Sequence, residues 1–229
     1  TGKWVFATYI WNEEQTDAVL APEHGVRADV EVAPGRRHEI PGTIDCQACH
    51  GTKRPGPLGF NALQLSTDRD PNAIHGEPLA PGMIDLATLV NERRLEPAPR
   101  ELVVNPPRIP ASSPATRAVL GYFAANCGTC HNRSGEITFN GPSLKHGDLL
   151  DDGDAVARSL ASFKTSWQVP GRSEGSSLMI DPTIPDASAM LVRMRSRRPS
   201  SQMPPLGTVL RDDKAIAAVE KWIATDLRR

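Results

Sequence analysis

The stretch Cys127-Gly128-Thr129-Cys130-His131 decides how this chain reads, and the same C-x-x-C-H pattern stands earlier as Cys46-Gln47-Ala48-Cys49-His50. Two thiols three positions apart can each form a thioether to a vinyl group of one porphyrin, and the following histidine is then carried to the iron. The two copies use all four cysteines of the chain. A single C-x-x-C also suits a thioredoxin-like redox pair, but that motif follows a strand in a βαβ unit, and none is visible around Cys127. Zinc could take both pairs as four thiolates, yet the pairs lie far beyond the zinc-ribbon separation and each carries the adjoining histidine. Disulfides are the weakest alternative. The pattern predicts two covalently bound c-type haems, held by Cys46 and Cys49 and by Cys127 and Cys130, with His50 and His131 as proximal iron ligands.

Composition agrees with a chain that relies on a large apolar cofactor. Hydrophobic residues make up 39% and aromatics 5% of 229 residues, a thin core for one large or two small domains. Two porphyrins would supply the missing apolar bulk. Twenty-one prolines and eighteen glycines imply much loop held by local turns. The net charge of -1 gives no reason to expect nucleic acid. No run of eighteen apolar residues occurs, so no transmembrane segment is expected. Covalent c-type haem is made outside the cytoplasm, which predicts a periplasmic or otherwise exported protein. The numbering is then expected to begin after a removed export signal, or after a cut in a longer chain.

The pattern along the chain predicts a mainly α protein with a small N-terminal β appendage. Trp4 to Ile10 and Val26 to Val32 read as strands, with Pro34-Gly35 as the turn after the second. Residues 1–44 form the appendage, expected to pack on a first haem domain at 45–95. Within that domain, residues 60–65 read as one or two helical turns, and Asp85 caps a helix carrying Leu86, Leu89 and Val90. Residues 96–114 are proline-rich and read as a linker. The second domain, 115–229, opens with Ser113-Pro114 as N-cap and first-turn proline of a helix running into Cys127. Further helices are expected from Asp154 to Phe163, from Asp186 to Arg195 with Met190, Leu191 and Met194 inward, and from Asp212 to the end.

That order is a helix, then C-x-x-C-H, then loops and helices, then Gln202-Met203-Pro204-Pro205-Leu206-Gly207, then a terminal helix with an aromatic. It closely resembles the class I cytochrome c domain. The resemblance implies that the first and last helices cross near Tyr122 or Phe123 against Trp222. It also implies that Met203 is the distal ligand of the second haem. Nearly the whole chain is similar to two-haem bacterial c-type cytochromes. That likeness is carried by Tyr9-Ile10-Trp11-Asn12-Glu13-Glu14-Gln15-Thr16-Asp17-Ala18, by Ile40-Pro41, by Gly59-Phe60 to Gln64-Leu65 and by Met203 with its flanks. Two cytochrome c-like haem domains are therefore expected.

The distal ligand of the first haem departs from this pattern, because no Met-Pro follows His50. His75 lies ten residues before the helix-starting Asp85, much as Met203 lies nine before Asp212. His75 is the preferred candidate, with Met83 or an open position as alternatives. His38 is a further histidine near the first haem's approach. Arg193, Arg195, Arg197 and Arg198 stand before Met203, where they either neutralise propionates, steer an acidic partner or form a solvated face.

The function these residues imply is one-electron transfer between redox protein partners, an electron carrier in preference to an enzyme and with no catalytic residue. The runner-up is an enzyme of the dihaem cytochrome c peroxidase type, which needs one iron with an open or displaceable site. A third reading is the electron-accepting cytochrome portion of a larger protein, served by an adjoining dehydrogenase domain.

Overall fold

Ser113 starts the helix around which the second half is built. In the computed structural model, which describes residues 4–51, 56–133 and 141–228, the Ser113 Oγ accepts a hydrogen bond from the Thr116 N–H at 3.0 Å. Helix α4 (Pro114–Asn126) follows, with the proline in its first turn where a missing N–H costs nothing. Among the described residues, three shorter helices precede it: α1 (Thr43–His50), α2 (Leu86–Asn91) and α3 (Arg100–Val104). After it come α5 (His146–Leu149), α6 (Gly153–Ser162), a 3-10 turn at Pro185–Ala187, α7 (Ala189–Arg195) and α8 (Asp213–Trp222). The last continues as a wider turn, Ile223–Leu227.

The protein has a predominantly helical core with strands at its N-terminus. Helix α4 packs across α8 and α6, burying Val119, Leu120 and Phe123 against Leu160, Ile216, Val219 and Trp222. The Phe123 and Trp222 rings meet edge to face at 6.1 Å, so the expected crossing of first and last helices is found at Phe123. Met190 and Met194 pack partly buried on the same core. Among the described residues, only Ala21, Leu86 and Val90 of the buried apolar side chains lie before Ile109.

The strands form two separate hairpins. Strands β1 (Tyr9–Trp11) and β2 (Ala18–Leu20) pair antiparallel with Tyr9 opposite Leu20, and β3 (Val26–Ala33) pairs with β4 (Arg36–Ile40). Gly35 has φ +67° in the turn between β3 and β4, a conformation that glycine adopts without strain. Val30 and Val32 stay partly exposed, so the alternation in β3 does not build a buried face.

Several expectations need correction. The first strand covers Tyr9–Trp11 and does not extend back to Trp4, because only the three residues of β2 supply ladder partners. Phe6 lies instead against the His50 ring. Residues 60–65 form turns, closed by reciprocal Asn61 and Gln64 side chain–backbone bonds of 3.0 and 3.1 Å. The proline-rich stretch contains α3. Helix α6 is capped by Asp152, whose carboxylate accepts from the Ala155 N–H at 2.9 Å, while Asp154 reaches across to the Ser112 N–H at 2.8 Å. The helix expected from Asp186 splits, with a 3-10 turn before α7.

Residues 61–78 are docked on the second half. Asp68 pairs with Arg108, Asp70 accepts from Arg117 Nε at 3.0 Å, and Leu63 and Ile74 pack against the main core. Among the described residues, no helix is long and apolar enough to cross a membrane.

Candidate cofactor site

The second motif extends α4 by one tight turn. The Cys127 N–H donates to Phe123 O at 2.8 Å, and the Cys130 and His131 N–H groups return to Cys127 O at 3.1 and 2.8 Å. A Cβ at Gly128 would stand 2.4 Å from Leu144 O and 2.8 Å from Ala124 O, so only glycine admits this approach. Asn132, buried, locks the turn by donating from Nδ2 to Gly128 O at 2.9 Å and Thr129 O at 2.8 Å. Burial first, and the neighbouring Cys130 second, push the Cys127 thiol up to about 12. Burial and then the Arg193 charge hold His131 below the usual histidine range. That direction favours the neutral imidazole, the form that ligates metal.

Met203 enters the same neighbourhood through Arg193. The Met203 N–H donates to Arg193 O at 3.0 Å, and the Arg193 guanidinium lies 5.1 Å from the Trp167 ring centre. Arg193 is therefore bonded to the backbone of the distal candidate while its charge acts on the proximal one. The arginine cluster is largely committed internally. Arg193 Nε donates to Ser201 O, Arg195 pairs with Asp186 at 2.8 Å and Glu220 at 2.7 Å, and Arg197 donates to Leu210 O at 2.9 Å. Arg198 alone of the four is exposed.

The first motif lies on α1, so Cys46, Cys49 and His50 are one helical turn apart. Helix α1 is seated by two glycines: a Cβ at Gly42 would meet Glu23 O and Gly25 N at 2.2 Å, and Gly25 has φ +68°. Asp45 accepts from the Gly42 N–H at 3.1 Å and closes the first turn. His50 Nδ1 lies 2.9 Å from Gly56 O. A carbonyl only accepts, so Nδ1 carries a proton, and Nε2 is the ring nitrogen left for a metal, the arrangement such outer partners set at metal sites. Helix α1 itself buries no side chain, and Ile44 is 49% exposed.

The first motif acts on the second: the Cys130 thiol is raised by burial first and then by the neighbouring Cys49 thiol, through its charge and a hydrogen bond. Among the described residues, no group of three or more His, Cys, Asp or Glu side chains is arranged to hold a bare metal ion. A haem iron asks less of a chain, since the porphyrin supplies four ligands and the protein two.

The candidates for the first distal position make other contacts. His75, at φ +60°, places Nε2 2.9 and 2.8 Å from the two Asp212 oxygens. Asp212 also caps α8 through the Ala215 N–H at 3.0 Å and accepts from the Tyr122 hydroxyl. Burial works to raise its carboxyl, but the Ala215, His75 and Tyr122 hydrogen bonds outweigh that and hold it low. Met83 is 48% exposed, with Sδ accepting from the Ala80 N–H at 3.4 Å. His38, on β4, is partly buried.

Sequence reasoning missed Asp212 as more than a helix cap, and it missed Trp167, Arg108 and Arg172. Among the described residues, the Nε atoms of Arg108 and Arg172 are the two buried side-chain N or O atoms without a hydrogen-bond partner. Nothing in the spacing of these residues marks them, because their neighbours are distant in sequence. No family model, curated protein or solved structure matches the chain.

Proposed function

We propose that this chain is a periplasmic two-haem c-type cytochrome that transfers single electrons between redox protein partners or accepts them from an adjoining dehydrogenase domain. One observation carries the reading: all four cysteines fall in two C-x-x-C-H motifs.

The residues fit the group. Helix α1 has no buried side chain, and an eight-residue helix owes its stability in water to packing, so a covalent apolar ligand is the natural core for it. Among the described residues, the first half has few buried apolar side chains, and the Nε atoms of Arg108 and Arg172 are buried without a hydrogen-bond partner. The haems would be held by Cys46, Cys49 and His50 and by Cys127, Cys130 and His131. Met203 is the distal residue of the second, and His75, with Met83 as alternative, that of the first. Bound haem supplies reversible one-electron chemistry at iron. Burial first, and the Arg193 charge second, favour a neutral His131, Arg193 O anchors the Met203 loop, and Gly56 O faces His50 Nδ1. The helix crossing at Phe123 and Trp222 supports the cytochrome c-like reading of the second domain, and the first domain is read by analogy with it.

A second reading, the dihaem peroxidase-type enzyme, is favoured by one observation. His75 is engaged by Asp212, so it would have to leave that carboxylate to reach the first iron, which would otherwise keep an open position. The deciding experiment matures the protein with haem, counts covalent haems by intact mass, reduces it and adds carbon monoxide. Two haems and an unchanged visible spectrum are expected for the carrier, with Met203→Ala opening the second haem to carbon monoxide. A shift amounting to one haem in the parent protein moves the peroxidase reading to the front. A chain without covalent haem refutes both.

A further inference from the structure

Three segments meet at Arg193, near the end of α7. Its Nε donates to Ser201 O at 3.2 Å, its own carbonyl accepts from the Met203 N–H at 3.0 Å, and its guanidinium lies 5.1 Å from the Trp167 ring centre. We infer that Trp167 is a positioning residue for Met203: stacked on the Arg193 guanidinium, it holds the 196–210 loop closed and keeps the methionine at the second iron. The inference rests on the two-haem reading above and deepens it.

The loop between α7 and α8 is closed largely by its own bonds. Gln202 Nε2 donates to Pro205 O at 3.2 Å, Thr208 Oγ1 donates to Pro204 O at 3.1 Å, and the Ser196 and Ser201 hydroxyls meet at 2.8 Å. Such bonds shape a loop without fastening it to its neighbours. Met203 is half-buried, and Pro204, Pro205 and Leu206 after it are exposed, so packing does little to hold that stretch. The bonds that tie Ser201 and Met203 to α7 both end on Arg193. Where that one side chain sits therefore decides where the methionine sits.

Trp167 supplies what Arg193 otherwise lacks. Arg195, two residues on, is paired with Asp186 and Glu220. Burial works against the Arg193 charge, and among the described residues it is the Trp167 face, not a carboxylate, that meets its guanidinium. A cation over an indole face gains more as it is desolvated. The ring is also fixed in advance. Its segment is closed by the Thr165 N–H donating to Ser177 O at 3.0 Å and the Met179 N–H donating to Phe163 O at 2.9 Å. The Trp167 N–H donates to Thr165 Oγ1 at 3.1 Å, and the Val169 N–H to the buried Ser177 Oγ at 2.9 Å. A flexible arginine is thus set against a rigid plate.

The test uses the full chain matured with haem, as the parent and as Trp167→Leu and Trp167→Phe. Two readouts follow Met203. One is the sulfur-to-iron charge-transfer band of the ferric second haem, challenged with imidazole. The other is hydrogen exchange at the Met203 amide, which reports its bond to Arg193 O. Trp167→Leu removes the aromatic face and is expected to open the loop about tenfold more often. Imidazole should then bleach the band about tenfold more readily, and the amide should exchange faster by the same factor. Trp167→Phe keeps a weaker face, is expected to raise both by about threefold, and serves if Trp167→Leu does not fold. Parent values for both readouts in the variants that fold overturn the assignment. So do equal rises in the two variants, or faster exchange spread evenly over α4 and α8, either of which marks Trp167 as packing alone. A parent chain with no covalent haem refutes the two-haem reading itself. Exchange at the Met203 amide in that chain still tests the clamp, so the two failures are told apart.

Discussion

The hydrogen bond from Trp222 Nε1 to Thr116 Oγ1 ties α8 to α4 at the centre of the core, and its removal has a calculable effect. It measures 3.0 Å and both groups are buried. Thr116 Oγ1 in turn donates to Asp226 at 3.1 Å, and Ser113, the α4 cap, bonds the same carboxylate. Thr116→Val keeps the shape of the side chain but leaves the indole N–H buried without an acceptor, a cost of about 1–3 kcal/mol. Asp226 also loses one donor, about 1 kcal/mol more. Trp222→Phe loses the bond and leaves a cavity where the second ring was, about 2–3 kcal/mol in all. In the double variant no indole N–H remains to be stranded. Its destabilisation is expected to fall short of the sum by about 1–1.5 kcal/mol. Urea unfolding followed by far-ultraviolet circular dichroism, at matched haem content and with unchanged m-values, measures all four proteins. Additivity within about 0.3 kcal/mol would refute the buried bond as the link between the helices.

Two other expectations follow from the same geometry. Gly128→Ala drives a Cβ into the Leu144 and Ala124 carbonyls, so intact mass should show loss of the second haem with the first retained; full two-haem occupancy contradicts the turn described. At acid pH, Asp181 and Asp226 should act together. Burial tends to raise both, but Thr183, Ile184 and Arg172 at the first, and Ser113, Thr225 and Thr116 at the second, hold them below 3.8. A depressed folded value means that their stabilisation is present above 3.8 and is lost as pH falls through the folded values. Asp181→Asn and Asp226→Asn should therefore lower the urea midpoint near neutrality and flatten its decline below about pH 4, whereas a decline parallel to the parent's would show that neither carboxylate carries it.

Local chemistry made some of this protein legible from its residues alone. The spacing of Cys46, Cys49 and His50, and of Cys127, Cys130 and His131, is a local pattern, and the two-haem proposal rests on it. Caps are equally local: Ser113 and Asp85 bond the N–H three residues on, and Asp212 does the same, so the starts of α4, α2 and α8 were readable. The crossing of α4 and α8, expected near Tyr122 or Phe123 against Trp222, came from the resemblance alone, and it is found at Phe123.

Tertiary structure decided what depends on distant neighbours. His75 and Asp212 are 137 residues apart, and only the docking of residues 61–78 on α4 brings them together. The same docking creates a cavity lined by Arg108 and Arg117 and leaves the Arg108 Nε buried and unpaired. Phe6 was readable as strand by propensity, yet it turned to the His50 ring because β2 supplied no ladder partner that far back. Spacing reveals chemistry that the chain carries within a few residues. Which buried charge faces which, and where a cavity forms, is set by packing between segments whose separation no local pattern records.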